Sequence, residues 1–354
     1  MMKVNLLPQP TWNWLKMNDA VIDEPDVKAG CLTSKTLPSS VKETADSNAD
    51  KFKEIPGGMG SDMQDFINNK NIDFYNIETT ENVNEEKPVK LDYAYTDKVN
   101  AADGLNIDVK ENSTVTVIMD YTSDDNAGGS ACVQTKINAQ SNSHILLVQL
   151  VRLGDGFTCL SDIGANVADN ATVDVIHIVL GGSKTYIGCA ADLVGNSSAM
   201  TAKTGYMLKE AQHLDMNYVA LHKGKKSTSD MYATGVLDDN ASKLYRATID
   251  FKRGCKGSKG EEKEEVLLLS DDVRNQTIPL ILCAEEDVEG NHGATIGNLD
   301  KELLFYLETR GIEEEMIYKM MAESKIEVIN SKIPDEDTRN KVSEYLRERK
   351  EREK

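Results

Sequence analysis

The chain has 354 residues, a formal net charge of −19 at pH 7 and 28% charged residues. Acidity of that size excludes a nucleic-acid backbone or an anionic membrane surface as partner, because both need clustered Lys and Arg. No run approaches the roughly 18 apolar residues of a membrane span, and the opening MMKVNLLPQPTWNWLKMND has no apolar core long enough for an export signal.

Six scattered cysteines without a CxxC pair fit reduced thiols in a soluble, cytoplasmic protein. Residues 1–94 read as a mixed N-terminal segment. Within it, Trp12 and Trp14 stand two apart, which places both on one face of a strand docked at the edge of the body. After a polar stretch to Ala49, the run Gly57-Gly58-Met59-Gly60 lacks the Lys-Ser/Thr of a phosphate loop and reads as a turn before the helix SDMQDFINN.

From about 95 to 290 the texture is β-rich: STVTVIMDYTS, SHILLVQLVRL, ATVDVIHIVL, SKTYIGCA, NYVALHK, KLYRATIDFKR and EEVLLLS. No helical pattern of 10–15 residues separates these runs regularly, which disfavours a doubly wound α/β sheet. In ATVDVIHIVL, Val173, Val175 and His177 alternate with Asp174, Ile176 and Ile178, and both faces are fairly apolar. Asn-centred turns recur at Asn112, Asn142, Asn170, Asn196, Asn217 and Asn240, spaced by 30, 28, 26, 21 and 23 residues. Repeats of that length indicate stacked coils, and Asn suits their corners because it tolerates the left-handed conformation. The fold expected is mainly β, a parallel β-helix with a C-terminal α-helical module and a short mixed N-terminal segment. A β-sandwich is the second choice. The stretch from Arg253 to Glu265, rich in Gly, Lys and Glu, reads as a mobile loop.

The run from Cys283 to His292 holds a thiol, the acids Glu285, Glu286 and Asp287, and an imidazole, side chains that bind soft or borderline metals. Cys283 follows apolar Ile281 and Leu282 and reads as a buried core thiol, the weaker metal candidate. His292, between Asn291 and Gly293, reads as a turn residue. His144 and His177 fall in strands, and His213 and His222 have no Cys or acid at ligand spacing. The remaining 291–354 form the helical module. Asp300 can cap a helix over KELLFYLETR with Leu303, Leu304 and Leu307 on one face and Gly311 at its stop. A second helix carries Ile317, Met320 and Met321, and Pro334 opens a third that ends in a solvated, fraying charged tail.

The segment from Leu267 to Ile312 resembles the C-terminal signature of the SufB/SufD family, scaffold proteins of the SUF iron–sulfur cluster assembly system. It holds the Leu-Leu-Ser-Asp run, the Pro before a short strand (Pro279), the acidic Asp-Val, the His-Gly-Ala-Thr-x-Gly turn and Leu-Phe-Tyr-Leu-x-x-Arg-Gly-Ile. TWNWLKMN resembles the start of the shorter members. The resemblance implies a right-handed parallel β-helix without catalytic turnover of its own. It implies a SufC-type ABC ATPase gripping the helical module, here through Leu303, Leu304, Phe305, Tyr306, Leu307 and Arg310. It also implies a transient iron–sulfur cluster at a subunit interface, with a Cys from the SufB side and a His from the SufD side. His292 stands on that histidine, and Val273 occupies the place of the SufB thiol, so the chain looks SufD-like. It is shorter than the long SufD form, which leaves open a SufB-like partner or pairing with an identical subunit. A flavin enters by family association only, since no dinucleotide fingerprint is present. The alternative from another class is a carbohydrate-active β-helix lyase or hydrolase, which needs acids clustered on one coil face.

Overall fold

The computed structural model describes residues 1–44 and 50–352, so part of the polar stretch ending at Ala49 and the last two residues of the tail lie outside it. The N-terminal part holds β1 (Met2–Val4), β2 (Ala20–Ile22), β3 (Lys28–Ala29), β4 (Leu32–Thr36) and β5 (Val41–Glu43), then α1 (Asp50–Lys53) and α2 (Ser61–Asn69). Next come eight two-stranded coils. They are β6 (Phe74–Thr79) with β7 (Val89–Tyr95), β8 (Val99–Val109) with β9 (Thr114–Ser123), and β10 (Gly128–Ala139) with β11 (His144–Arg152). There follow β12 (Gly156–Val167) with β13 (Thr172–Val179), β14 (Lys184–Leu193) with β15 (Ala199–Leu208), and β16 (His213–His222) with β17 (Thr228–Leu237). The last two are β18 (Ser242–Phe251) with β19 (Ser258–Leu268) and β20 (Arg274–Cys283) with β21 (Val288–Gly297).

Even-numbered strands from β6 to β20 stack in parallel as one sheet, sheet 1, and odd-numbered strands from β7 to β21 stack as sheet 2. The expected stacked coils are present, and they start at Phe74 and end at Gly297. Residues 291–297, assigned from sequence to the helical module, therefore belong to the last strand.

The interior between the sheets is filled by the alternate residues of each strand, such as Ile145, Leu147 and Val151 from β11 and Val173, Val175 and Val179 from β13. Each such side chain contributes about 1.5–3 kcal/mol relative to exposure. The outward faces are also covered, which explains why the strands read as apolar on both sides. On sheet 1, Met2, Val4, Met59, Met63, Phe66 and Ile67 of the N-terminal segment pack on the outward column that includes Ala102, Cys132 and Leu160. The glycine run lies flat on that sheet: a Cβ on Gly58 would meet the backbone nitrogen of Cys189 at 2.0 Å.

On sheet 2, the outward Ile118, Val148, Ile176 and Ile178 are covered by helices α4 (Glu314–Asn330) and α5 (Glu336–Arg352) and the turn between them, through Ile326, Ile329, Ile333 and Val342. The buried stripe of α4 runs through Ile317, Ala322, Ile326 and Ile329, and Met320 points away from it. The tail read as fraying is thus a packed helix as far as Leu346.

The corners also follow the sequence in part. Asn82, Asn112, Asn142 and Asn170 all adopt φ between 54° and 58°. Their side chains form a ladder, each Nδ2 donating to the Oδ1 one coil below at 2.8, 3.1 and 3.2 Å. Past Asn170 the left-handed corner passes to Ser197 and Lys226. Asn217 is no corner: it is buried in β16, where its Nδ2 donates to Gly58 O at 2.8 Å. The tryptophans are not on a strand either. They sit in the turn between β1 and β2, and Trp14 is 99% exposed.

Candidate functional site at the open end

The two ends of the coil stack differ. At the start, β5 pairs antiparallel with β6 and β4 pairs antiparallel with β7, so both sheets are closed by a covering strand. At the other end β20 and β21 are the terminal strands of their sheets, with no further strand among the described residues. The amides of Arg274 and Ala284, at the two ends of β20, donate inward to Ala241 O and Phe251 O. Alternation along a strand then turns the backbone groups of Asn275, Thr277, Pro279, Ile281 and Cys283 to the open edge. Pro279 supplies no donor to that row, the position where an edge strand tolerates proline. β21 has no proline and is exposed over almost its whole length.

In-register stacking decides which side chains face the interior. Cys283 stacks on Phe251, an interior core residue, and is itself exposed at the open end of the packed interior between the sheets. It is therefore not the core thiol expected from its apolar neighbours, because no coil follows to cover it. Its Sγ donates to Glu285 O at 3.0 Å. His292 is not on a turn but in the middle of β21, stacked on Glu262 and exposed. Cys283 closes β20 at the corner while His292 stands on the opposite sheet, and among the described residues no group of three His, Cys, Asp or Glu is arranged to hold a metal ion.

The remaining thiols and imidazoles are committed elsewhere. Burial pushes the Cys159 thiol up to about 12, and raises Cys132, Cys189 and Cys255 as well. His177 is buried in the interior between Gln149 Oε1 at 3.1 Å and Tyr218 OH at 2.9 Å, and burial pulls it down to about 3. His222 is bonded to Ser227 and Ser229 and pulled down to about 4 by burial. His144 bonds Asp174 at 2.8 Å, and His213 bonds Ser242 at 2.8 Å.

Sequence reasoning missed the charged layer beneath the last strand. The stretch read as a mobile loop is largely β19, and its alternate residues Gly260, Glu262, Glu264 and Val266 face the interior one coil beneath β21. Lys243 of β18 pairs with Glu264, and Thr277 Oγ1 of β20 donates to Glu264 Oε2 at 2.5 Å. Glu262 is only 2% exposed and its Oε2 has no hydrogen-bond partner. Burial, with Glu264 beside it, pushes its carboxyl up to about 8. The period-2 spacing was the available signal; the density of charge concealed it.

The helix α3 (Lys301–Thr309) follows β21 directly, and Asp300 Oδ1 caps it by accepting from Glu302 N at 2.9 Å. The six residues expected to grip a partner divide. Leu304 and Leu307 turn inward against Leu299 and Ile317. Leu303, Phe305 (69% exposed) and Tyr306 (52%) face out, and the Arg310 guanidinium lies over the Tyr306 ring at 5.0 Å. Among the described residues no helix is long and apolar enough to cross a membrane.

The fold defines a parallel β-solenoid protein that is closed at one end, open at the other, and flanked by a helical cover. Residues 94–325 match the family described as SUF system FeS cluster assembly, SufBD core domain, and the chain belongs to that family. Among similar proteins is the Bacillus subtilis iron–sulfur cluster assembly protein SufD, 23% identical over 264 residues, which are 74% of this chain and 60% of that protein. A Plasmodium berghei SufD is 24% identical over 67% of this chain and 18% of its own length. A Mycobacterium leprae SufBD family protein is 27% identical over 49% of this chain and 20% of its own length. The chain thus spans less than two thirds of these relatives.

Proposed function

We propose that the chain is a non-enzymatic scaffold subunit for iron–sulfur cluster assembly that completes its site by pairing its open end with a second subunit, SufB-like or identical. The observation that carries this reading is the exposed His292 on a terminal strand whose outer edge has no neighbour, with no group of three metal-binding side chains around it among the described residues. A neutral imidazole is a suitable iron ligand, but one imidazole holds no cluster, so the remaining donors must come from another chain. Sheet extension across β20 and β21 would bring them while satisfying the bare edge amides. Cys283 is exposed at the same end and is the thiol of this chain placed to join them. The family membership favours this reading over carbohydrate cleavage.

The outward face of α3 is the surface proposed for a SufC-type ABC ATPase. Leu303, Phe305 and Tyr306 form an apolar patch with Arg310 at its rim, the composition of an interface hot spot. Anaerobic reconstitution with ferrous iron and sulfide, with and without a SufB-like subunit, tests the site. The visible absorption of the cluster is expected with wild type and largely lost with His292→Ala; equal absorption from both would end the ligand role. For the docking face, Phe305→Asp should abolish copurification with a SufC-type ATPase while leaving the fold intact, because that side chain covers nothing in this chain.

A further inference from the structure

We propose that the β1–β2 hairpin tip, Trp12 to Leu15, is an arm that clasps a second copy of this chain across the open end. This rests on the reading that the open end pairs with another subunit, and it adds the element that holds the pair. The hairpin lies across the outward face of sheet 1, and its contacts advance along the stack. Asn5 Nδ2 donates to Asp215 Oδ1 of β16 at 2.7 Å, and Leu7 packs with Leu244 of β18 and Ile278 of β20. On the return, Met17 O accepts from Arg246 Nε of β18 at 2.7 Å, and Met17 Sδ accepts from Gln276 Nε2 of β20 at 3.2 Å. The base of the tip is therefore fixed to the last strand, and Pro8 to Lys16 beyond that base are all exposed.

The tip is braced rather than loose. Trp12 N donates to Asn18 Oδ1 at 2.8 Å, and Asn18 Nδ2 donates to Asn13 Oδ1 at 2.6 Å. Ordering is thus largely complete before any partner arrives, which lowers the entropic cost of binding. On this braced turn Trp14 is 99%, Leu15 56% and Trp12 37% exposed. Tryptophan in that setting is the residue type that dominates interfaces.

The geometry commits the arm to another solenoid end. A strand added to β20 would lie about 4.8 Å beyond it, one strand away from the base of the tip. If that strand is β20 of a second copy related by a two-fold axis, its outward face brings Leu280 and Leu282, both half-buried here, toward Trp14, and the contact is made twice. Pro279 withholds an edge donor from β20, so hydrogen bonds alone make a weak seam and apolar area has to supplement them.

The two tryptophans of the chain both lie in the arm, so intrinsic tryptophan fluorescence of the full chain reports on it alone. Sedimentation and fluorescence over a dilution series should show self-association with a blue shift of emission. Trp14→Ala should weaken that association at least about tenfold, a 1.4 kcal/mol effect, with unchanged circular dichroism. Ile296→Arg on the β21 edge serves as the control for end pairing itself. If Ile296→Arg disrupts self-association and Trp14→Ala does not, the arm is wrong and the pairing survives. Absence of any self-association overturns the arm as a clasp for a second copy, and with it pairing with an identical subunit, while pairing with a SufB-like subunit survives. A blue shift seen only on adding a SufB-like subunit overturns the second copy as occupant.

Discussion

The two ends of the solenoid solve the same problem in opposite ways. Stacked coils always leave two sheet edges at each end, and bare edges invite pairing with other chains. At the N-terminal end the chain folds β4 and β5 back antiparallel over β7 and β6, and the interior beneath is apolar, with Tyr93 and Tyr121 rings 5.1 Å apart. At the C-terminal end no strand among the described residues folds back, the interior carries Lys243, Glu262 and Glu264, and the last strand is exposed. The first arrangement is what a chain needs to stop coiling. The second has the form of a half-site: edges unsatisfied, charge held just below the surface, and a histidine exposed on the last strand because no coil follows. The covered edges and the proposed site thus lie at opposite ends of one stack.

The largest expected effects set these two interiors against each other. Tyr93→Ala at the closed end removes a buried ring and should cost about 3–5 kcal/mol. Lys243→Met at the open end leaves Glu264 buried without its cation and should cost a similar amount, about 3–5 kcal/mol. The two differ in rescue. Adding Glu264→Leu to Lys243→Met should restore most of the loss, because the double change removes the uncompensated charge, whereas nothing at the closed end refills the Tyr93 cavity. Urea unfolding midpoints of the four proteins decide it. If the Lys243→Met/Glu264→Leu protein is no more stable than Lys243→Met, the open end is not organised around that ion pair.

A second contrast is in pH. Glu262 has its carboxyl raised from 4.5 to about 8 by burial, so the folded state binds more protons than the unfolded state in that range. Its contribution to stability is full below about 4.5 and is lost as pH rises toward 8. His177 is pulled from 6.5 to about 3 by burial in mid-stack, so there the unfolded state binds more protons. Its contribution is present above 6.5 and is lost as pH falls toward 3. Within either window, stability should change by at most about 1.4 kcal/mol for each tenfold change in proton concentration. Wild-type stability should therefore peak between the limbs, and Glu262→Gln should flatten the alkaline side only. An alkaline slope that survives Glu262→Gln would show that the open end does not hold a buried neutral carboxyl.

The legibility of the sequence follows the same division. The coil corners were readable because left-handed backbone selects a specific side chain, and Asn112, Asn142 and Asn170 adopt it with φ of 54°, 58° and 55°. Helix α2 was readable from the glycine turn before it, α3 from its Asp300 cap, and α4 from apolar spacing. Asn217 misled because a buried Asn in a strand, bonded to a backbone carbonyl of the N-terminal cover, has the same local sequence as a corner. At the open end, the apolar run before Cys283 suggested burial, but burial depends on whether another coil follows. Glu262 and Glu264 read as loop because charged residues at alternate positions are rarely interior. The family signature located His292; composition and spacing did not place it on a strand. Tertiary context decided these cases, and a single sequence carries little of it.

The smallest expected effect separates the corners of the two halves. Near the closed end the left-handed residues are asparagines joined side chain to side chain, and Asn142 both donates to Asn112 and accepts from Asn170. Toward the open end the same position is Lys226, with φ 55° and no such ladder. A lysine in left-handed backbone is strained where glycine is not. Lys226→Gly should therefore be stabilising or neutral, by up to about 1 kcal/mol, because relief of strain offsets the added chain entropy of glycine. Asn142→Gly relieves nothing comparable and breaks two ladder bonds, so it should be destabilising by about 0.5–1 kcal/mol. Paired thermal melts would test the sign difference. Equal changes in both variants would mean that the asparagine ladder adds nothing to the closed half.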